Sequence, residues 1–118
     1  MDPQLTLAVH PDGQGAILGV GGEVDVATAP QLLAKLMELV EVKEVGGVVV
    51  DLTPVVFMDS TGLSVLLAGH RRARARGHTI RLVCPEGPVL RVLRLTGVEK
   101  VLSVYSSLAQ AVDAQDAD

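Results

Sequence analysis

A run of three valines, residues 48–50, follows a segment with helical periodicity. An apolar run without polar alternation is typical of a strand that is covered on both faces, as in a parallel sheet. From Thr28 to Val42, leucine and valine recur at spacings of three and four residues, which predicts an amphipathic helix. Because extended segments precede this helix, the order strand, helix, strand predicts a parallel crossover and an α/β fold.

Turn and helix signals divide the rest of the chain into short elements of a single domain, 1–118. Gly77 fits the end of a helix that begins near Ser60, and Gly97 fits the end of a shorter one. We predict a mixed, mostly parallel β-sheet of about four to five strands with about four α-helices, and a polar tail, 113–118, that frays. The predicted strands cover residues 5–9, 16–20, 48–50, 79–84 and 101–104, and the predicted helices cover 28–42, 60–76, 88–95 and a C-terminal segment through Leu108 and Val112.

Composition and charge argue against several classes of partner. The formal net charge is -4 and the pI is near 5.2, so no chain-wide positive field exists to attract nucleic acid. The first residues lack the pattern of a secretory leader and no apolar segment predicts a membrane span, so we expect a cytoplasmic protein. Cys84 is the only cysteine and lies in an apolar run, which predicts a buried, unreactive thiol. We expect no cofactor and no metal site.

Two predicted helices begin at hydroxyl or carboxylate side chains. Thr28, with Gln31 three residues later, resembles a capping box. The segment 59–62, Asp-Ser-Thr-Gly, places a carboxylate and two hydroxyls at the start of the second helix. Unpaired N–H groups and the positive end of the helix dipole favour a capping oxygen there, and would equally favour a phosphate. The pattern alone leaves both interpretations open: Ser60 or Thr61 only caps the helix, or a hydroxyl there bears a phosphate.

Three stretches of the chain resemble the STAS-domain family of anti-sigma factor antagonists. They are residues 22–25, Gly-Glu-Val-Asp, with Thr28 and Ala29 after them, residues 57–63, Phe-Met-Asp-Ser-Thr-Gly-Leu, and residues 88–91 continuing through 95–98. The middle stretch is the most specific, because family members carry Asp-Ser-Ser-Gly or Asp-Ser-Thr-Gly there. The resemblance covers nearly the whole chain and implies a STAS-type domain in which Ser60 accepts a phosphate.

The resemblance also implies a function. The unphosphorylated protein would bind an anti-sigma factor that is itself a serine kinase, and would thereby free a sigma factor. Phosphorylation of Ser60 from ATP would abolish this binding, and a serine phosphatase would restore it. The chain would be a substrate and a ligand rather than an enzyme, and a monomer or weak dimer. Charge added beside Asp59 and Asp25 should repel an acidic partner surface.

By the same resemblance, partner binding would involve Asp25, Asp59, Ser60, Thr61 and Gly62. The two aspartates would position the serine or contact the kinase, and the threonine would support the turn or touch the interface. Simpler structural interpretations remain open for three of these residues. Asp25 would cap the turn after its strand, Asp59 would favour the helix dipole, and Gly62 would allow close packing.

Two other functions are compatible with parts of the sequence. A STAS scaffold or transporter-accessory module would bind its partner without any phosphorylation. A small serine hydrolase would use Ser60 as nucleophile and His70 or His78 as base. On one helix, however, His70 lies about 15 Å from Ser60 along the axis, which argues against direct pairing.

Two further predictions concern the exposure of arginines and the burial of leucines. The four arginines of the segment 71–76 are predicted to form a solvated face, with docking to an acidic partner or to lipid head groups as alternatives. The leucines of the short third helix, Leu90, Leu93 and Leu95, are predicted to lie in the core.

Overall fold

The fold is a mixed β-sheet with helices on both faces. A computed structural model describes residues 4–13, 15–42 and 47–116. The strands are β1 (Leu5–Asp12), β2 (Gly15–Val24), β3 (Val48–Asp51), β4 (Val55–Met58), β5 (Ile80–Val83) and β6 (Ser103–Tyr105). The helices are α1 (Ala29–Val42), α2 (Ser60–Ala75), α3 (Pro88–Leu95) and α4 (Leu108–Asp116), with a 3-10 turn at Val98–Lys100. The predicted α/β class is confirmed, and the structure adds β4, which the sequence pattern did not separate from its surroundings.

The sheet is mostly parallel, as predicted. Its strand order is β1-β2-β3-β5-β6, and β4 pairs with β2. Only the pairing of β1 with β2 is antiparallel among the described strands. This hairpin is tighter than the sequence predicts, because Asp12 pairs with Gly15 and β1 therefore continues through the predicted turn at 10–13.

The long strand β2 pairs with two successive strands on one side. Its first half pairs with β3, and its last residues, from Gly22 to Val24, pair with β4. The register shifts between Gly22 and Glu23, where Gly22 has a φ of 91°. A Cβ atom at Gly22 would lie 2.2 Å from the carbonyl oxygen of Gln4, so no larger residue fits this irregularity. The end of β2 is thereby directed along β4.

The three valines at 48–50 explain why both faces of the sheet are covered. Val48 faces the main core, which α1 and α2 close from one side, whereas Val49 faces Ala111 of α4 on the other side. The two helices on the main face pack closely, since a Cβ atom on Gly69 would lie 2.4 Å from Cδ2 of Leu36. The run is buried on both faces, as the absence of alternation predicts.

The structure corrects two details of the sequence analysis. Leu95 is 80% exposed rather than part of the core, because it follows the buried Leu93 by two residues and so lies on the opposite side of α3. Thr28 does not form the capping box. Its hydroxyl donates to the carbonyl of Glu23, and the N–H of Gln31 donates to the Thr28 carbonyl instead.

The C-terminal elements follow the prediction with shifted boundaries. β6 begins at Ser103, two residues after the predicted start, because the N–H groups of Val101 and Leu102 donate to the Val98 carbonyl and so extend the turn. α4 extends to Asp116 and so includes most of the predicted tail, whereas residues 117 and 118 lie outside the described residues. Within the described ranges, no helix is both long enough and apolar enough to cross a membrane.

Candidate functional site

The predicted site residues meet at one edge of the sheet. Asp25 directly follows β2, and Asp59 directly follows β4. These strands are parallel neighbours, with Val24 paired to Met58, so both carboxylates lie where the strands end. Ser60 is the first residue of α2 and is exposed at the same edge. Ligands of open α/β sheets bind at this carboxyl edge of the strands.

Asp59 fixes the start of α2 on the sheet. Its backbone N–H donates to the carbonyl of Val24 at 3.1 Å, which extends the pairing between β2 and β4. Its Oδ1 accepts hydrogen bonds from the N–H groups of Thr61 at 2.9 Å and Gly62 at 3.3 Å. Asp59 is therefore the N-cap, and the prediction that Ser60 or Thr61 caps this helix is wrong.

Ser60 has a free hydroxyl because Asp59 does the capping. The serine hydroxyl makes no hydrogen bond with any residue that the structure describes, and the Ser60 carbonyl accepts one from the Ser64 hydroxyl at 3.0 Å. An exposed hydroxyl that no backbone group requires can be modified without breaking a hydrogen bond of the fold. This is the chemical property that a phosphate acceptor needs.

The turn after β2 holds Asp25 in place. Its Oδ1 accepts the N–H groups of Ala27 at 3.0 Å and Thr28 at 3.1 Å. Its own N–H donates to the Thr28 hydroxyl at 3.0 Å, and that hydroxyl donates to the carbonyl of Glu23 at 2.8 Å. The turn-capping interpretation of Asp25 is therefore correct as a structural role, because these bonds hold its carboxylate in the turn that follows β2.

Gly62 and Thr61 have different surroundings. Gly62 is buried, and a Cβ atom there would lie 2.7 Å from Cγ of Met58 and 2.8 Å from Cγ1 of Val24. Thr61 is half-buried, and its N–H is used by the Asp59 cap. Gly62 therefore allows the first turn of α2 to approach the ends of both strands.

Exposed apolar side chains flank the two aspartates along the chain. Val26 is 75% exposed immediately after Asp25, while Val56 and Phe57 of β4 are 70% and 48% exposed. Large apolar side chains on a surface mark interaction sites when they cluster. No signal in the sequence separates them from core residues, because all four residues of β4 are apolar. The structure nevertheless buries the first and last of these residues and exposes the two between them.

The structure does not assemble a hydrolytic site. Ser60 begins α2, and His70 lies ten residues later on the same helix, about 15 Å away along its axis. His78 precedes β5, at the end of α2 that is opposite to Ser60. In the described part of the chain, no group of three or more potential ligands could hold a metal ion.

The arginines of α2 are exposed, as predicted, and Cys84 is buried, as predicted. All four arginines of the 71–76 segment are exposed. Arg72 and Arg76 both pair with Glu41 of α1, and the hydrogen bond from Arg72 holds the pKa of the Glu41 carboxyl below its usual value. Cys84 is 2% exposed, and burial raises the pKa of its thiol to about 11.

The sheet order and the capped helix start at its carboxyl edge define a class of small α/β domains. A family model described as STAS domain matches residues 6–111, and the chain belongs to this family. The resemblance noted from the sequence is thus confirmed over most of the chain.

Relatives in this family carry a functional name. An anti-sigma-B factor antagonist of Listeria monocytogenes is 34% identical over 87 residues, which cover 72% of this chain and 74% of the relative. A crystal structure of an anti-sigma factor antagonist from Mycobacterium paratuberculosis is similar with a TM-score of 0.81 and 28% identity, covering 95% of this chain and 94% of that one. SpoIIAA of Bacillus in its phosphorylated form has a TM-score of 0.70 and 19% identity, covering 92% and 98%, and this likeness shows the fold.

Proposed function

We propose that this chain is an anti-sigma factor antagonist that is controlled by phosphorylation of Ser60. The unphosphorylated form binds an anti-sigma factor with serine kinase activity and so releases a sigma factor. The phosphorylated form does not bind, and a serine phosphatase restores it. The observation that carries the proposal is the exposed Ser60 hydroxyl, without a hydrogen bond in the described structure, next to a carboxylate that already caps α2.

The occupied cap makes a phosphate on Ser60 a surface charge. Because the Asp59 carboxylate takes the N–H groups of Thr61 and Gly62, a phosphate could use them only by displacing it. The phosphate adds about -1.5 to -2 charges beside this carboxylate. Both negative groups then face whatever covers the helix start, while the backbone keeps its hydrogen bonds. The switch acts on the interface and leaves the fold unchanged.

The partner-binding surface combines this charge with apolar contacts. We define the Ser60 surface as Asp25, Val26, Phe57, Asp59 and Ser60. Val26 and Phe57 supply exposed apolar area, and the aspartates supply a negative rim. Protein interfaces commonly combine an apolar centre with a polar rim. The anti-sigma factor is the occupant we assign, because the acceptor serine must reach the active site of its kinase.

Two predicted contact residues have different roles in this proposal. Thr61, half-buried beside Ser60, borders the Ser60 surface and contacts the partner through its exposed part. Gly62 is buried and contributes indirectly, because its lack of a side chain sets the height of Ser60 above the strand ends. The protein acts as a binding protein and kinase substrate rather than as an enzyme, and as a monomer or weak dimer in the cytoplasm.

The comparisons support this role at the level of the family. The Listeria relative and the Mycobacterium structure are both named anti-sigma factor antagonists, and SpoIIAA has been solved in a phosphorylated form. Those names apply to those proteins. Their bearing on this chain depends on whether its own Ser60 accepts a phosphate.

The test is intact-mass spectrometry after incubation with ATP and each candidate anti-sigma kinase of the same host. We expect one added phosphate on the wild-type protein and on Ser64→Ala, and none on Ser60→Ala. Ser64 is a matched control, because it is an exposed serine one turn further along α2. Phosphate on Ser60→Ala would move the acceptor elsewhere. No phosphate with any candidate kinase would favour the STAS scaffold or transporter-accessory module instead.

Binding measurements test the switch itself. Calorimetry with the anti-sigma factor should show wild-type affinity for Ser60→Ala and an affinity at least about ten-fold weaker for Ser60→Asp, since charge mismatch at an interface costs several kcal/mol. Ser64→Asp should bind nearly as well as wild type. Full affinity of Ser60→Asp would argue against control by charge at this residue.

A further inference from the structure

A second concave site lies at the end of α2 that is remote from Ser60. The cavity has a volume of about 550 Å³ and is lined by the last turns of α2, the turn before β5, and the strands β5 and β6. His70 and Arg74, one helical turn apart, line it from α2, and Tyr105 lines it from β6. This volume is in the range of small-molecule sites, which span about 300–1,000 Å³.

The lining is cationic in a chain of net negative charge. The described lining residues include two arginines, Arg74 and Arg81, two histidines and three hydroxyl side chains, with no carboxylate among them. The whole chain has a formal net charge of -4. A concavity whose described lining carries two arginines and no carboxylate is therefore a local departure from the charge of the molecule, and such a site attracts anions.

Arg74 differs from the nearby Arg72 and Arg76 in its charge balance. Arg72 and Arg76 share Glu41, whereas Arg74 makes no ion pair with any residue that the structure describes. Arg81, on β5, is buried, and its guanidinium donates to the Thr79 hydroxyl at 2.8 Å, which holds its orientation. One guanidinium from α2 and one oriented guanidinium from β5 thus line the same cavity.

His70 adds a neutral imidazole to these cations. Its Nδ1 is buried and has no hydrogen-bond partner among the described residues. Burial, together with the charges of Arg74 and Arg71, lowers the pKa of His70 below its usual value. An anion in the cavity would offset these arginine charges and let the imidazole take up a proton more easily.

We propose that this cavity binds a small organic phosphate through Arg74, with Arg81 and the lining hydroxyl groups as further donors. Arginine suits phosphate because its planar guanidinium can donate two parallel hydrogen bonds. The volume exceeds what a lone phosphate fills, and the concave shape suits a small molecule better than a flat lipid surface. The site is independent of the Ser60 surface, since His70 lies about 15 Å from Ser60 along α2.

Calorimetry with ribose 5-phosphate on the unphosphorylated full chain tests the proposal. We expect saturable binding of one molecule, no binding of ribose, and weaker binding of inorganic phosphate. Arg74→Gln should weaken the affinity about ten-fold or more, as loss of a charge-assisted pair predicts. Arg71→Gln is the matched control, because Arg71 is exposed on the same helix but does not line the cavity. The His70 pKa, followed by NMR, should rise when the ligand is bound.

Four results would overturn the proposal. They are no saturable binding, equal losses in Arg71→Gln and Arg74→Gln, inorganic phosphate binding as tightly as ribose 5-phosphate, and Arg74-dependent binding to phosphatidylglycerol vesicles without binding of the soluble phosphate. The last result would assign the arginines to a membrane surface. None of these outcomes affects the phosphorylation test at Ser60, which uses different residues and a different readout.

Discussion

A Cβ atom on Gly62 would lie 2.8 Å from Cγ1 of Val24, closer than such atoms approach in folded proteins. The same atom would lie 2.7 Å from Cγ of Met58. The first turn of α2 therefore rests directly on the ends of β2 and β4. This contact sets where Ser60 lies relative to Asp25, which directly follows β2.

We predict that Gly62→Ala destabilises the protein by about 1–3 kcal/mol, the usual cost of overpacking a buried contact. Urea unfolding measures the change in the free energy of unfolding. Ser64→Ala, an exposed change on the same helix, should shift it by no more than about 0.5 kcal/mol. If Gly62→Ala were as stable as Ser64→Ala, the side chains of Val24 and Met58 would have to move aside without cost.

Asp59 should stabilise α2 through its cap rather than through its charge alone. Asp59→Ala removes the acceptor for the N–H groups of Thr61 and Gly62, and we expect a loss of about 1 kcal/mol. Asp59→Asn keeps a carbonyl oxygen at the same place and should lose much less. Thermal unfolding of the two variants separates these contributions. Equal losses would mean that the negative charge, interacting with the helix dipole, is the larger effect.

His70 predicts a dependence of stability on pH in the mildly acidic range. Its pKa in the folded protein is lowered, first by burial and then by Arg74 and Arg71, so folding favours the neutral imidazole. This contribution to stability is complete above the unfolded pKa, about 6.5, and decreases as the pH falls from there through the folded pKa.

The measurement compares urea unfolding at pH 7.5 and pH 5.5 for the wild type and His70→Gln. We expect the wild type to lose more stability between these pH values than the variant does. The Glu41 carboxylate stays ionised at the lower pH, because Arg72 holds its pKa below the ordinary glutamate value of 4.5. Its ion pairs with Arg72 and Arg76 therefore remain intact. Parallel pH profiles for the two proteins would contradict this role of His70.

Cys84 should resist alkylation in the folded protein. Its side chain is 2% exposed, and burial raises the pKa of the thiol to about 11, so very little thiolate is available at pH 8. Mass spectrometry after iodoacetamide treatment should show no adduct without denaturant and one adduct in urea. Rapid labelling of the native protein would indicate that the C-terminal end of β5, which Cys84 directly follows, opens locally.

The fold could be predicted from the sequence where local patterns agree with long-range packing. The valines at 48–50, the periodic leucines of α1 and the glycines after α2 and α3 each indicate their element correctly. β4 was not predicted because its four residues are all apolar and show no alternation of polarity. In the structure its two middle residues, Val56 and Phe57, are both exposed. Its strand character depends on pairing with β2 beyond the irregularity at Gly22, which is a contact between distant parts of the chain.

The candidate site was predictable in its residues but not in its hydrogen bonds. The segment 59–62 indicates a helix start with available oxygens, yet local sequence does not decide which oxygen caps it. The choice of Asp59 follows from its N–H bond to Val24, which gives it the extended backbone of an N-cap. The proximity of Asp25 depends on the same strand pairing, and only the family resemblance indicated it beforehand.

Phe57 provides the sharpest test of the proposed Ser60 surface, because it is 48% exposed on β4 two residues before Asp59. We expect Phe57→Ala to weaken binding of the anti-sigma factor about ten-fold or more, since aromatic side chains contribute strongly at interface centres. Val9→Ala is the control, because Val9 is 42% exposed on β1, the edge strand at the opposite side of β2. Its affinity should stay within about two-fold of wild type, as expected for a residue outside the interface. Calorimetry measures both affinities, and circular dichroism checks that both variants are folded. If Phe57→Ala weakened the affinity no more than Val9→Ala does, the partner would lie away from β4. A loss of affinity confined to Phe57→Ala would indicate that Phe57 and the phosphate acceptor Ser60 belong to one binding surface.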